Sequence, residues 1–426
     1  MTARDFMAPA FRLFVEGHEV GEEVTQHVVE IDVEHTVDVI SKTSIVVQDA
    51  DNRWTDSILW EPGNEVDVFM GYGNALGHVG RFEILRHLPD YPEDGVPTLK
   101  ISGYDRAYRM TRQSVDVTGA KRAPKKKDKL AEAGRVWANT SIGEVVSFVC
   151  AKYGITPDID PEIATKQIGT FVQKKGTSDY KILRYLANIY GAEFFVEFVP
   201  EFAAIEGVSF GAIKAKGAGV APSSSAPGWV CRFRLPKNAK QEKTYEFERG
   251  TPTATILSAS VDWGIDSSVV DVQVSVFDRA KGEFVVVNAE APEPKGKPKR
   301  FSPGLFAQGG TLGEVKTDAT TADAIESPSA IKIAAQGHSI DVPTRSFKNA
   351  EEAIAFAQTW LERHRDAFLV ARATLPGVET LRGGQTHRLK GLGRRYDGDF
   401  YFAAVRHRYD SNTYRTEVIA RKVVEV

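Results

Sequence analysis

Hydrophobic and polar residues alternate along much of the first hundred positions. The clearest case runs from Val24 to His35, where Val29, Ile31 and Val33 alternate with acidic residues. A period of two places successive side chains on opposite faces of a sheet, so this segment is predicted to be a half-buried strand. Short strands separated by turn residues are typical of an antiparallel barrel or sandwich. The other strands predicted in this region cover residues 11–15, 43–48, 65–70, 81–86 and 98–102.

The pattern then changes to a helical period. Ser141 and Glu144 have the spacing of a capping box, which predicts the start of a helix. Apolar residues follow at the i, i+3, i+4 and i+7 positions of one helix face. These residues are Ile142, Val145, Val146 and Val149.

A second helix is predicted to start near Thr177-Ser178-Asp179. Its apolar face would contain Leu183, Leu186, Ala187 and Tyr190. Gly191 stands where a helix commonly ends, and an aromatic strand over residues 194–198 follows directly. Together these elements predict a small α/β insert.

Strand patterns resume in the C-terminal half. Strands are predicted over residues 256–263, 269–277 and 284–287, with a hairpin turn at 278–282, and over 368–375, 385–389, 400–407 and 413–419. Asp397-Gly398 is a strong hairpin signal between the strands at 385–389 and 400–407. A third helix is predicted from the capping pair Asn349 and Glu352. Its apolar face would be Ala353, Phe356, Ala357, Trp360 and Leu361.

Three stretches are predicted to be loops. Residues 214–228 and 290–310 contain few large side chains and cannot bury enough apolar area to order themselves. Lys121 to Lys129 holds six basic residues, which indicates a solvated loop or, alternatively, a contact with phosphate. No aromatic residues interleave this basic run, so base stacking is not indicated.

This order of elements predicts a mainly β protein with an α+β insert. We expect two related antiparallel β-barrel domains flanking a small helical insert domain, although no clean sequence repeat relates the two β-regions. The predicted boundaries are 1–118 for the first barrel, 119–250 for the insert with its loops, and 251–426 for the second barrel with an inserted loop and helix.

Composition and charge fit an ordinary globular protein. The chain has 426 residues and a formal net charge of −3, which does not indicate bulk binding of nucleic acid. No apolar run is long enough for a membrane span, and the N-terminus lacks a signal-peptide pattern, so folding in a cytoplasm is expected. The two cysteines, Cys150 and Cys231, are expected to be buried and reduced, with a disulfide between them as the alternative.

No catalytic, cofactor or metal site is predicted. The chain has no Cys-x-x-Cys motif, no nucleophile elbow and no complete phosphate loop. Asp105, after the strand at 98–102, is expected to hold a turn or to pair with Arg106 or Arg109. The histidines are scattered and are expected to be exposed or structural. They are His18, His27, His35, His78, His87, His338, His364, His387 and His407.

Four stretches together resemble a known family. The first is the opening strand and turn at 11–17, and the second is the segment 80–84 followed by 99–106, which contains Gly-Tyr-Asp at 103–105. The third is the Ser-Asp helix and Gly turn over 178–195, and the fourth is a C-terminal pattern. That pattern comprises the 353–361 helix, Leu381-Arg382-Gly383-Gly384, residues 390–393, 396–401, 405–407 and 414–416. The order resembles the phage late control D family, the baseplate hub proteins of contractile tails, also found as the N-terminal part of type VI secretion spike proteins.

This resemblance implies a structural role rather than an enzymatic one. Hubs of this family form homotrimers whose six related barrels make a pseudo-sixfold ring between a sixfold tail tube and a threefold spike. The implied partners are the tail tube protein, the central spike protein and baseplate wedge proteins, with the tape measure protein as a further candidate. DNA would pass through the lumen without sequence-specific binding. The implied location is the tail baseplate of a virion assembled in the host cytoplasm, and the end at Val426 suggests a separate spike protein.

The sequence is also compatible with other functions. The chain could serve a tailocin or a bacterial contractile injection system instead of a phage. A cell-wall hydrolase at the tail tip needs only two carboxylates a few ångströms apart, which sequence alone does not exclude. A third possibility is a DNA-channel component in which the basic run at 121–129 contacts passing DNA.

Overall fold

A computed structural model describes most of the β-regions and the insert. The described residues are 8–37, 39–112, 134–137, 140–168, 171–174, 176–200, 204–206, 228–236, 243–250, 255–263, 271–278, 283–290, 339–345, 369–393, 396–410 and 413–423. Several predicted features lie outside them: the basic run at 121–129, nearly all of the loops at 214–228 and 290–310, the turn at 279–282, and the helix at 349–361.

The first β-module comprises residues 9–104. Its strands are β1 Pro9–Val15, β2 His18–Glu19, β3 Val28–Thr36, β4 Lys42–Gln48, β5 Glu65–Tyr72, β6 Ala75–Asp90 and β7 Thr98–Tyr104. A one-turn helix, α1 Glu22–Thr25, and a 3-10 turn, Ile58–Trp60, lie between strands. The predicted strand start at Val24 is wrong, because Val24 belongs to α1, where it is buried, and the chain turns before β3 begins at Val28.

The insert comprises residues 107–235. Its helices are α2 Ala107–Arg112, α3 Ile142–Lys152, α4 Pro161–Ala164 and α5 Asp179–Ile189. Its strands are β8 Gly134–Trp137, β9 Thr140–Ser141, β10 Thr156–Ile159, β11 Gln167–Ile168, β12 Phe171–Lys174, β13 Glu193–Val199, β14 Ala204–Glu206 and β15 Gly228–Arg234. The capping box of Ser141 and Glu144 is confirmed, and Ser178 caps α5. The helices and the β10-β15-β13 sheet share one buried core.

The second β-module lies within residues 246–422. Its strands are β16 Glu246–Glu248, β17 Ser258–Trp263, β21 Leu369–Pro376, β22 Gln385–Lys390, β23 Gly398–Asp410 and β24 Thr413–Lys422. A separate three-stranded sheet contains β18 Asp271–Asp278, β19 Glu283–Glu290 and β20 Ser339–Arg345. The hairpin predicted at Asp397-Gly398 is confirmed, because β22 and β23 pair antiparallel directly before and after it.

One large sheet joins the two β-modules. Its strand order is β17-β21-β24-β23-β3-β4-β7-β6-β5-β1-β2, with β22 paired to β23, β16 to β22 and β14 to β6. Each module also buries its own hydrophobic cluster beneath this sheet. The predicted fold class is confirmed: the described chain is mainly antiparallel β with an α+β insert.

The strand order also reveals a repeat that the sequence does not show. The order β3-β4-β7-β6-β5 in the first module matches β17-β21-β24-β23-β22 in the second. The long strands β6 and β23 each carry a bulge, at Leu85 and at Ala403. In both modules a glycine N–H then donates to the carbonyl just before the bulge, Gly63 to Ile84 and Gly384 to Phe402, each at 2.8 Å. The two modules are therefore variants of one folding unit.

Candidate functional site

The two modules meet where β23 pairs with β3, and we call this pairing the module joint. Its register runs from Ala404 opposite Thr36 to Asp410 opposite Glu30. Paired strands satisfy the backbone donors and acceptors along the two edges that face each other. The modules are therefore held together by main-chain hydrogen bonds as well as by side chains. The joint makes one continuous surface from two folding units.

One face of the joined sheet is polar over eight consecutive strands, from β17 to β6. The strand registers place charged and small polar residues together on this side, which we call the polar face. Most of their neighbours along β21 to β7 are buried, whereas those along β17 and the end of β6 are only partly buried or exposed. Its polar members include Ser258, Ser260, Asp262, Arg372, Glu417, Arg406, Arg408, Asp32, Glu34, Lys42, Ser44, Lys100, Ser102 and Arg86, and the exposed apolar residues Leu88 and Ile419 lie on the same side. The second-module half is concave, with a cavity of about 530 Å³.

Opposite charges meet across the module joint on the polar face. Arg406 donates from Nε to both oxygens of Asp32, at 2.9 and 2.7 Å, and from Nη2 to one of them. Its Nη1 lies 3.7 Å from Glu417. Arg408 lies 3.4 Å from Glu30. The hydrogen bond to Asp32 raises the pKa of Arg406, which therefore stays charged. The bidentate geometry fixes the strand register more firmly than a single exposed ion pair would.

On the buried side, residues 377–384 fill the space between the modules, and we call this loop the wedge. Arg382 donates from Nη1 to the carbonyls of Glu379 and Leu381, each at 2.7 Å, and from Nη2 to the carbonyl of His78 on β6. Burial lowers the pKa of Arg382. Gly377 lies against Tyr414 so closely that a Cβ there would stand 2.0 Å from the ring. The wedge thus locks the second module onto the first.

Three of the histidines that were expected to be exposed or structural surround the wedge. His35 is bonded to the carbonyl of Val79 at 2.8 Å, and His407 is bonded to the Tyr414 hydroxyl at 2.9 Å and to the Leu381 carbonyl at 3.0 Å. Burial lowers the pKa of His35, and it lowers that of His407 to about 3. These two rings are therefore neutral hydrogen-bonding groups.

The third histidine belongs to a buried ion-pair group. His78 lies 3.0 Å from Asp67, whose two oxygens also accept from Arg81 at 2.8 and 2.7 Å. Burial lowers the pKa of His78, although Asp67 opposes this effect. Arg81 in turn stacks on Phe198 of the insert, 3.8 Å from the ring centre. This group ties the insert to the first module.

Two aspartates within the family-like segments organise local structure. Asp105 accepts hydrogen bonds from the backbone N–H groups of Ser41 and Ala107, each at 2.7 Å, so it holds the turn as predicted. Burial raises its pKa to about 7. Its neighbours Arg106 and Arg109 bind other carboxylates, those of Glu65 and Glu83.

Asp179, at the start of α5, is the polar centre of the insert. Its carboxylate accepts from Lys152 and Tyr153, each at 2.8 Å, and from Gln173 at 3.0 Å. Burial alone would raise the pKa of Asp179, but these hydrogen bonds lower it below the ordinary value. The sequence identified this residue only as part of a helix start.

Among the remaining candidate residues, the two cysteines lie in the insert core, and His338 and His364 lie outside the described residues. Cys150 and Cys231 are free and buried, and they touch inside the insert core, which raises the pKa of Cys231. Among the described residues, no cluster of three metal-binding side chains occurs. In that same part of the chain, no helix combines the length and apolar character needed to cross a membrane.

Comparisons with known proteins identify the fold. A family model described as the Alg8 N-terminal domain matches residues 7–119, less than half of the chain, and so does not assign a family. A search of curated protein sequences finds no match. Two solved tail proteins have similar folds over 97% of this chain. The 43 kDa tail protein of prophage MuSo2 from Shewanella oneidensis has a TM-score of 0.59 and 11% identity, with 98% of that chain covered. The tail protein from Neisseria meningitidis MC58 has a TM-score of 0.57 and 12% identity, with 97% of it covered.

A third similar structure comes from a secretion system. The E. coli c3393 protein, described as a type VI secretion component similar to phage T4 tail proteins, has a TM-score of 0.52 and 9% identity, over 97% of this chain and 77% of that one. At these identities the likeness establishes the fold, which is that of tail and secretion-system structural proteins. The narrower resemblance to the late control D family stays a prediction.

Proposed function

We propose that this chain is the structural baseplate hub of a contractile phage tail, of the late control D type, and that it is not an enzyme. The fold shared with tail proteins supports the setting. The observation that carries the specific role is the repeat of one folding unit joined edge to edge within one sheet. We further propose the domain limits 1–118, 119–250 and 251–426, with α2 of the first segment packing in the insert core and β16 of the second segment pairing with β22 of the third.

Both ends of the polar face have strand edges available for pairing. Within the described residues, β17 has no strand on its outer side, and neither does the part of β6 at residues 86–90. In the repeat, β6 corresponds to β23 and β17 corresponds to β3. The open edges are therefore the counterparts of the two strands that already pair in the module joint.

Pairing β6 of one copy with β17 of the next would repeat the module joint between copies. Such a head-to-tail contact generates a closed ring when its rotation closes, and ring closure removes the exposed edges. Three copies with two modules each give six similar units. The homotrimer would then match a sixfold tail tube above and a threefold spike below, with its polar face toward the lumen.

The position of the ring between tube and spike also sets the other contacts that we propose. Wedge proteins of the baseplate would contact the outside of the ring, the tape measure protein would meet it on the axis, and DNA would pass through without sequence-specific contacts. The protein would be assembled in the host cytoplasm and would reside in the virion tail baseplate.

A crosslinking experiment tests the ring directly. Leu88 and Arg406 each stand three residues after the bulge of their strand, so they correspond. The strand registers within each module, followed from these two residues, show that Asp262 corresponds to Glu34. Because Arg406 pairs with Glu34, Leu88 of one copy should stand opposite Asp262 of the next. Directly opposed Cβ atoms lie roughly 4.5–5.5 Å apart, close to the reach of a disulfide.

The double variant Leu88→Cys/Asp262→Cys should form covalent trimers on mild oxidation, seen on a denaturing gel and by native mass spectrometry. Each single variant is the matched control and should give no covalent trimer. A wild-type protein that stays monomeric at all concentrations, with no crosslink in the double variant, would contradict the hub proposal.

A further inference from the structure

The turn Ile58–Trp60 holds a large apolar side chain out in solvent. Ile58 is 84% exposed, more than any other large hydrophobic residue in the described part of the chain. Trp60, at the end of the same turn, is fully buried and anchors it in the first core. Single exposed apolar residues are common on protein surfaces, so exposure alone does not identify a binding surface.

The backbone of this turn is held in place by side chains. The amide of Asn64 donates to the carbonyls of Ile58 and Leu59, at 3.1 and 3.2 Å. The ring of His87 on β6 is bonded to the carbonyl of Trp60. Ile58 is therefore presented in a fixed position beside the open edge of β6, and little ordering cost remains for a binding event.

The repeat shows what the corresponding position does in the second module. Counting back from the matched glycines Gly63 and Gly384, Trp60 corresponds to Leu381, and Ile58 corresponds to Glu379. The Leu381 carbonyl also accepts from a histidine of the long strand, His407 at 3.0 Å, which stands two positions further along β23 than the counterpart of His87. The Ile58 turn is thus the first module's counterpart of the wedge.

In the wedge, this position is buried by the neighbouring module. Glu379 is only 9% exposed and lies on β6 of the first module. The contact is close, since a Cβ at Gly77 would stand 2.2 Å from Cγ of Glu379. Within the part of the chain that the structure describes, no module covers the corresponding Ile58. The module that would cover it in a repeated joint is the second module of another copy.

We propose that Ile58 anchors the contact between copies by packing on the second module of the next copy, near Leu392 and Tyr396. This inference rests on the proposed ring. The position follows from the repeat: Gly80 and Gly398 both lie five residues before the bulges, so Tyr396 corresponds to His78. In the wedge, Arg382 donates to the carbonyl of His78, and Glu379, the counterpart of Ile58, contacts the adjacent Gly77. Leu392 and Tyr396 are partly buried residues packed on the second core, and they offer the apolar surface that an isoleucine needs.

The variant Ile58→Lys tests the anchor. Because the side chain is exposed in the single chain, the fold should be unaffected, and the melting temperature checks this. Burying a cation in place of isoleucine should weaken trimer formation by ~100-fold, measured as the dissociation constant from sedimentation at several concentrations. Phe148→Lys is the matched control: Phe148 is 51% exposed but lies on the insert, and this change should leave association unchanged.

Two measurements separate this inference from the hub proposal. If Ile58→Lys associates as tightly as wild type, while Leu88→Cys/Asp262→Cys still gives covalent trimers, the anchor is wrong and the ring stands. If Ile58→Lys weakens association and also slows that crosslink, the anchor is supported. If wild type forms neither trimers nor crosslinks, both proposals are wrong.

Discussion

Asp179 should be among the most sensitive single positions in the insert. Replacing it with alanine removes the one carboxylate that accepts hydrogen bonds from Lys152, Tyr153 and Gln173. These partners come from the end of α3, from the residue that follows it and from β12, so the carboxylate links α5 to two other elements of the insert. The side chain of Gln173 is completely buried and cannot exchange its lost partner for water.

The expected loss can be worked from these contacts. Hydrogen bonds to a charged group contribute about 1.5–3 kcal/mol each, and unpaired buried groups add to the cost. Lys152 is one-third exposed, so its ion pair is screened and lies at the low end. Gln173 also donates to the Thr177 carbonyl and keeps that bond. We therefore expect Asp179→Ala to lower the free energy of unfolding by ~3–5 kcal/mol.

Urea unfolding followed by tryptophan fluorescence measures this effect, because Trp137 and Trp229 belong to the insert core. Glu23→Ala is the control, since Glu23 and its partner Arg53 are both more than half exposed. That pair should contribute less than ~1 kcal/mol. A loss for Asp179→Ala no larger than that of the control would refute the reasoning that Asp179 organises the insert.

Three further predictions concern the wedge and α3. Gly377→Ala should destabilise the second module by ~2–3 kcal/mol or more, because the new methyl group collides with the buried Tyr414 ring; a melting temperature equal to wild type would contradict it. In the folded chain, burial lowers the pKa of His407 to about 3, against an ordinary value of 6.5. As the pH falls, this ring is therefore protonated in the unfolded chain before it is protonated in the folded chain, and the free energy of unfolding decreases below about pH 6.5. When the pH is lowered from 7 to 5, the free energy of unfolding of His407→Gln should fall by ~2 kcal/mol less than that of wild type, as measured by urea titration. Equal decreases would exclude His407 as the cause of the acid sensitivity. Ser141→Ala should cost ~1 kcal/mol by removing the capping box with Glu144, with Ser141→Gly costing less; an unchanged urea midpoint would show that the cap is dispensable.

Local patterns predicted most of the described elements. The alternation predicted the buried face correctly at Ile31 and Val33, because a buried sheet face requires apolar residues at every second position. It was wrong at Val29, because the strand has a bulge there and Val28 is buried instead. The cap at Ser141 predicted the start of α3 because all hydrogen bonds of the capping box join Ser141 to Glu144, three residues away. Val24 was misassigned because a valine buried by one helical turn has the same hydrophobicity as one buried in a strand.

Long-range features could not be predicted in this way. Arg382 stands out in sequence only as part of a family-like motif, and its hydrogen bond to His78 spans 304 positions. The partnership of Asp32 with Arg406 spans 374 positions. Such pairs depend on which strands meet, and no local propensity encodes that choice.

The sequence by itself determined the class of the protein: its strands, its helical insert, and a family-like order of motifs. Only the tertiary structure decided that the two β-regions are one unit used twice. The physical reason is that hydrophobic period and capping act over a few residues, whereas strand order, matched bulges and the module joint exist only once distant segments pair. The exposure of Ile58 acquires its meaning from that repeat, because its buried counterpart at Glu379 is visible only in three dimensions.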